Sequence, residues 1–336
     1  MPSLAQFLMA ILLLPCLASA QVPAAYHATV LPFDSGRSIL NNAGAVAGEV
    51  GGRVALWQRG RGLTYLTASG EEANVWGMND LGQLVGDDGW QPTLWQLGQP
   101  VTRFDAGELG GRALAINNRG SMLIEARGRL GETGFEDEYY LQKKGGQRTP
   151  IYGLFPWAIN EQDQVAGNLR GSAGGGAVWQ DEMLHGLPDN GYSWAGAINE
   201  QGWVAGGIGG EDVPPIFAAI WRGDAVETYS PGYARSINDA GMAVGYLYAD
   251  HAWLWFGGHS YDLNTLWNAA DWPGWELVSA EGINNDGLIV AKAQNRGGNW
   301  DYMTVLLSPV PEPARAAQLL AGLALLGALR VRRVRK

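Results

Sequence analysis

Several stretches of this chain set carboxylates beside tryptophans or gather them in glycine-flanked loops. Asp87 and Asp88 stand just before Trp90. Residues 131–138 hold Glu132, Glu136, Asp137 and Glu138, and residues 209–215 hold Glu211 and Asp212. Trp272 lies in the stretch 267–275, between Trp267 and Trp275. An indole face with hydrogen-bonding acids nearby can hold a sugar ring, and carboxylate oxygens can ligate a calcium ion. Paired acids can also cleave a glycosidic bond, a role for which Asp137 and Glu211 are the candidates. Solvated loops over packed aromatics are the plainer reading, and Trp267 and Trp275 fit packing best.

Other chemistry is thin. His27, His185, His251 and His259 have no metal-ligand spacing. The chain contains no Gly-x-Ser-x-Gly elbow, no phosphate-cradling loop, and no calcium loop with alternating acids and a closing Glu. Calcium is therefore conceivable without a motif to support it, and no catalytic, cofactor-binding or metal-binding residue is assigned. Beyond position 309 lie six basic residues and Glu312; without them, 17 basic and 32 acidic residues leave a net charge of −15. That sign excludes nucleic acid and anionic membrane surfaces as partners, and suits neutral sugars or divalent cations.

The elements that must position these residues follow from a repeat. An aliphatic residue followed by Asn-x-x-Gly recurs at Asn41, Asn79, Asn117, Asn199, Asn238 and Asn284, and at Asn160 with Asp163 in place of the glycine. Successive asparagines are 38, 38, 43, 39, 39 and 46 residues apart. In each copy one strand ends at the Asn, whose side chain can cap its own turn while the Gly takes positive φ. A second strand reaches Gly48, Gly86, Gly167, Gly206 or Gly245, with Ile124 and Ala291 at that position in the other copies. A third carries Leu56-Trp57, Leu94-Trp95, Val178-Trp179, Ile220-Trp221 or Leu254-Trp255, and a weaker fourth closes the unit. Four short strands in about forty residues make one blade of a β-propeller. Residues 21–309 are thus expected to form an all-β propeller of seven four-stranded blades, with an open β-solenoid as the alternative. The final copy, 281–307, has room for three strands, so residues 26–33 are expected to supply its fourth. The recurrent Asn and Trp read as turn chemistry and interblade packing. The loops of varying length, which hold Asp87, Trp90, Glu136, Asp137, Glu211, Asp212 and Trp272, read as the ligand face.

This grammar resembles the HAF-type extracellular repeat, and His251-Ala252-Trp253-Leu254-Trp255 comes closest to its namesake strand. Asp262-Leu263-Asn264-Thr265-Leu266, with Gly274-Trp275 beyond it, is similar to the way such arrays end. The resemblance implies exported repeat-built β structure and no particular reaction.

Both ends read as sorting signals. An apolar run at 7–14, then Pro15 and Ala18-Ser19-Ala20, marks residues 1–20 as a signal peptide cleaved between Ala20 and Gln21, although its first segment lacks Lys and Arg. Cys16, the only cysteine, leaves with it. At the other end Val310-Pro311-Glu312-Pro313 precedes an apolar segment, 316–329, and a basic end, 330–336. Fourteen residues make a helix of roughly 21 Å, short for a hydrocarbon core of about 30 Å, and the terminal arginines place the C-terminus in the cytoplasm. This ordered tail resembles the PEP-CTERM sorting domain. The resemblance implies an exosortase as partner, with Val310, Pro311, Glu312 and Pro313 as its recognition signal, in a Gram-negative, exopolysaccharide-producing bacterium. The expectation is a non-catalytic protein, held in the inner membrane by its C-terminal helix until processing and then placed on the cell surface or in the extracellular matrix. There it would bind polysaccharide or envelope components. A glycan-active enzyme and a periplasmic protein-binding scaffold are the alternatives.

Overall fold

The computed structural model describes residues 22–23, 25–34, 36–128, 130–131, 134–135, 137–171, 175–188, 192–209, 217–247 and 251–310. The expected signal peptide at 1–20, Gln21, the tail from Pro311 onward, Glu132, Glu136, Glu211 and Asp212 lie outside them. Seven four-stranded antiparallel sheets stand around an axis, and the solenoid alternative falls. Blade 1 comprises Ser38–Leu40, Val46–Val50, Arg53–Gln58 and Gly62–Tyr65. Blade 2 comprises Ala73–Met78, Gln83–Asp88, Pro92–Gln96 and Thr102–Arg103; blade 3 Gly111–Ile116, Met122–Ala126, Glu138–Gln142 and Arg148–Pro150. Blade 4 is Leu154–Ile159, Val165–Leu169, Gly176–Gln180 and Met183–Gly186; blade 5 Tyr192–Ile198, Val204–Gly209, Phe217–Arg222 and Ala225–Pro231. Blade 6 is Tyr233–Ile237, Ala243–Leu247, His251–Phe256 and His259–Asp262. Blade 7 takes Trp275–Ile283, Ile289–Asn295 and Tyr302–Pro309 from the end of the domain, and its outer strand, Tyr26–Leu31, from the start. That closing pair runs antiparallel from Tyr26 opposite Pro309 to Leu31 opposite Thr304, as the missing fourth strand required.

The core is divided among the seams. Each buried cluster joins two neighbouring blades: Ala47 and Leu56 meet Val75, Leu84 and Trp95 between blades 1 and 2. Ile220 meets Ala234 and Trp255 between blades 5 and 6. Trp95, Trp179, Trp221 and Trp255 are buried at equivalent third-strand positions, and Trp57 is half-buried. The seam between blades 6 and 7 is the thickest, with sixteen buried residues; the seam between blades 2 and 3 has five, Val85, Ala113, Ile116, Met122 and Ile124.

The segment after blade 6 braces the closure. Two 3-10 turns, Leu263–Thr265 and Ala269–Asp271, carry the chain past the first strand, where the Tyr26 N–H donates to the Leu266 carbonyl at 2.7 Å. The Asn264 amide accepts from Leu277 N at 2.7 Å and donates to its carbonyl at 2.9 Å, standing in for a strand neighbour. Among the described residues no helix is long and apolar enough to cross a membrane; the expected helix at 316–329 is not among them.

Candidate functional site

The seven Asn-x-x-Gly turns meet around one end of the axial channel. Each Asn Oδ1 accepts the backbone N–H four residues on, at 2.8–3.0 Å, so the expected capping of its own turn is present. Each Nδ2 also donates to the backbone carbonyl of the next blade's Asn, at 2.9–3.1 Å, and Asn284 returns the chain of bonds to Asn41. Turn chemistry was thus only half of the role of these residues: they also stitch the blades into a closed ring. All seven are 1–5% exposed. At the exceptional Asp163, φ is +61°, and the carboxylate accepts a second bond from Asn117 Nδ2 at 2.9 Å, so an acid can occupy the glycine position.

A second ring lies over the first. The side-chain oxygen of the residue after each Asn accepts the N–H of its counterpart in the preceding blade, at 2.7–3.0 Å, through Asp80, Asn118, Glu161, Glu200, Asp239, Asn285 and Asn42 in turn. The residues just before the asparagines, Leu40, Met78, Ile116, Ile159, Ile198, Ile237 and Ile283, form an apolar collar beneath, and the cavity at this mouth is only about 170 Å³. Burial, the largest cause, holds the Glu200 carboxyl above the usual carboxylate range; the N–H of Glu161 lowers it, and the charges of Glu161, Asp239 and Asp80 raise it. Among the described residues, no three His, Cys, Asp or Glu side chains converge as a metal-ligand group.

The other end of the channel opens into a funnel of about 800 Å³, on the face that carries the second-to-third and blade-to-blade connections. Its lining is made by a repeated backbone device. In six innermost strands the register slips at the third residue before the Asn, so that this residue bulges out of the ladder: Trp76, Leu114, Trp157, Gly196, Arg235 and Glu281. A bulge re-aims a side chain. All of these except Leu114 line the funnel, together with Ser38, which occupies the same repeat position in blade 1. In blades 2, 4, 5 and 6 the bulge goes with a second-strand glycine that has no room for a side chain. A Cβ at Gly86, Gly167, Gly206 or Gly245 would stand 1.7–2.2 Å from the carbonyl oxygen of Asn74, Phe155, Trp194 or Tyr233, which the slip pushes across the sheet.

Trp76 lies between two guanidiniums, Arg37 at 4.8 Å and Arg112 at 4.4 Å from its ring centre. Its indole N–H donates to Asp87 Oδ2 at 2.7 Å, while Asn74 donates to Asp87 Oδ1 at 3.1 Å. Trp157 is 47% exposed at the rim, beside exposed Tyr192. Trp194 meets Tyr233 edge-on at 6.0 Å, and Tyr233 lies 5.5 Å from Tyr246. Arg235 stands 5.1 Å from the Tyr246 ring and 3.5 Å from Glu281. Burial first, and then the charge of Arg235, lowers the Arg37 pKa from its ordinary value. Lys292, at the funnel wall, is 7% exposed and donates to Thr304 Oγ1 at 2.6 Å and to Ser38 Oγ and the Asp34 carbonyl at 3.2 Å. Burial brings its pKa down to about 8. The lining carries Arg37, Arg235 and Lys292 against a single acid, Glu281, in a chain of net charge −10.

The residues expected as ligand contacts do not form one site. Asp87 is 5% exposed and serves Trp76 and Asn74, so it is a positioning group rather than an open ligand. Trp90 is 51% exposed, with φ +67° and the Arg127 guanidinium 3.9 Å from its ring centre. Asp137 accepts from Gly128 N at 3.0 Å within blade 3. Trp272 stacks on Trp267, ring centres 6.3 Å apart and planes 8° from parallel, beside the closing strand. His251 pairs with Asp262 at 3.3 Å within blade 6. One sequence signal marks the funnel residues: the repeat column three before the Asn reads Ser, Trp, Leu, Trp, Gly, Arg, Glu, whereas from blade 2 onward the columns on either side hold only Gly, Ala, Ser, Val or Pro.

No family model and no curated protein matches the chain. Among solved structures the chain is similar to one from the crystal structure of a mitotic checkpoint complex, at 13% identity and a TM-score of 0.57, over 89% of this chain and 99% of that one. A second similar structure, YCF48 bound to D1 peptide, has 11% identity and a TM-score of 0.46, over 87% of this chain and 100% of that one. The first likeness agrees with the propeller fold and extends no further.

Proposed function

We propose that the protein is a non-catalytic, exported binding module that holds an anionic sugar chain in the funnel opposite the asparagine ring. The observation that carries this reading is the convergence of bulged Trp76, Trp157 and Arg235 on one cavity, with Trp76 between Arg37 and Arg112. Aromatic faces take sugar rings, and guanidiniums take their carboxylates by paired N–H donation. Hydrolysis of a glycosidic bond needs two carboxyl groups about 5–9.5 Å apart, whereas Glu281, the one acid of the lining, is engaged by Arg235. That supports binding over cleavage.

The test is calorimetric titration with oligogalacturonate, an acidic probe, against a neutral oligoglucan of equal length. Binding of the acidic oligomer is expected, with Trp157→Ala and Arg235→Gln each weakening it tenfold or more. Equal binding of both oligomers, or indifference to both substitutions, would remove the funnel from the reading. Release of reducing ends would turn it into an enzyme.

The export part of the proposal rests on the leader at 1–20 and the Val310-Pro311-Glu312-Pro313 tail. Exosortase processing would free the domain from the membrane and deliver it to the cell surface or matrix. Intact mass of the protein made with and without an exosortase tests this. A form beginning at Gln21 and lacking the tail, outside the cells only when the enzyme is present, is expected; an unaltered C-terminus in both hosts would refute it.

A further inference from the structure

The seam between blades 2 and 3 is more open than those between blades 5 and 6 and between blades 7 and 1. At the fourth residue after the Asn, blade 5 carries Trp203, whose ring covers Gly241 of blade 6, with the Arg222 guanidinium 4.6 Å from the ring centre. Blade 7 carries Leu288 there, against Gly44 of blade 1. Blade 2 carries Gln83, held back on its own blade: Asn79 Nδ2 donates to its Oε1 at 2.8 Å, and its Nε2 donates to Gln96 Oε1 at 3.2 Å. The outer strand of blade 2, Thr102–Arg103, has two residues and covers little. A groove of about 790 Å³ results, running outward from Asn118 on the turn face.

Its floor is apolar, with Leu94, Phe104 and Met122, and Leu81 stands 63% exposed at its edge. Arg103, Arg119, Lys143, Lys144 and Arg148 rim it, against Asp105. Arg103 pairs with Asp88 and Lys143 with Asp163 at 3.8 Å, so the rim stays basic after its own ion pairs are counted. The chain's own ends are the wrong occupants by charge: residues 310–336 carry six bases and one acid, and residues 1–21 carry no charged side chain.

We infer that this groove docks an acidic peptide segment of a partner protein, with a leucine- or phenylalanine-sized anchor on the floor and Asp/Glu side chains on the basic rim. A branched apolar anchor fits a floor of Leu94, Phe104 and Met122, whose one aromatic ring is half-buried, whereas a sugar chain needs flat exposed aromatic faces of the kind found in the funnel. The site is independent of the funnel and of its ligand.

The test is fluorescence anisotropy of the full chain with a labelled synthetic peptide of roughly ten residues, two leucines flanked by glutamates, sized to the groove. Micromolar binding is expected, weakened tenfold or more by glutamate-to-glutamine or leucine-to-serine changes in the peptide. Lys143→Glu with Lys144→Glu should weaken it equally in a protein that still folds, its unfolding midpoint lowered only by the loss of the Lys143–Asp163 pair. Gln83→Trp, which fills this seam as Trp203 fills its own, should abolish binding in a folded protein, and Trp157→Ala should leave it intact. Three outcomes would overturn the inference: no binding at millimolar peptide, binding indifferent to the leucines with equal displacement by oligogalacturonate, or self-association of the chain broken by the two lysine changes.

Discussion

At one mouth of the axial channel, seven asparagines at one repeat position make the same hydrogen bonds, each to its own turn and to the next blade. At the other mouth, three residues earlier on the same strands, the side chains range from glycine to tryptophan, with charges of both signs. The two mouths share backbone, blade and symmetry. Uniformity at the first follows from closure, since a ring of donors works only if every member donates. Variety at the second follows from the bulge, which in six blades frees one residue from the ladder and, Leu114 apart, from the core. The contrast separates what holds this molecule together from what it offers to a ligand.

The sharpest way to break the contrast is within a single strand. Asn160→Leu removes the cap of one turn and one link of the ring, leaving buried N–H and C=O groups without partners, and is expected to cost about 2–4 kcal/mol. Trp157→Ala, three residues earlier and 47% exposed, is expected to cost less than about 1 kcal/mol. Urea unfolding of the two variants decides, and equal costs would mean that the mouths do not divide their work in this way.

The next effect belongs to the funnel wall. Lys292 is held near pKa 8, below its ordinary 10.5, so below pH 8 it is charged in both states and folding bears its desolvation. Between pH 8 and 10.5 the unfolded chain binds the extra proton, and stability must rise with pH. Relative to Lys292→Met, the wild type should gain on the order of 1–3 kcal/mol across that window. The reading is cleanest below pH 10. Above it, burial has raised the pKa of Tyr26, Tyr139 and Tyr229, and a hydrogen bond to Glu138 that of Tyr140, so unfolded tyrosines ionise first and stability falls. A flat difference between the two proteins from pH 7 to 10 would remove the buried cation from the account.

The smallest effect lies at the turn mouth. Glu200 has a raised pKa, so its contribution is favourable at low pH and is lost as pH climbs through the carboxylate range. Glu200→Gln keeps an oxygen for Glu161 N while removing a charge near Glu161, Asp239 and Asp80. It should stabilise by a few tenths of a kcal/mol at pH 7, and the difference should vanish below about pH 4. A destabilised variant at neutral pH would mean that charge, rather than hydrogen bonding, sustains the second ring.

Blade number and closure were legible because both are periodic. Asn spacing counted the sheets, and the short final copy pointed to residues 26–33 as the missing strand. The interblade half of the asparagine bond was not legible, since a single side chain reaching its own turn and its neighbour's carbonyl looks in sequence like an ordinary turn former. The funnel stayed hidden for a related reason. A bulge is a property of pairing register, and Trp76 or Arg235 in an alternating strand reads as outward decoration until the slip is seen. Asp87 misled because proximity to a tryptophan in sequence cannot distinguish an acid that meets a ligand from one that anchors an indole N–H.

The closure has a mechanical consequence. Residue 310 leaves the ring beside the point where residue 25 enters it, with Val310 N donating to the Ala25 carbonyl at 2.9 Å. A tug transmitted through residue 310 therefore reaches the domain through Tyr302–Pro309, a strand laddered on both flanks, by Ile289–Asn295 and by Tyr26–Leu31. Drawn along its length, that strand loads its rungs together in shear instead of unzipping them one at a time. The singly flanked edge strand is spared unless the chain is pulled from its start.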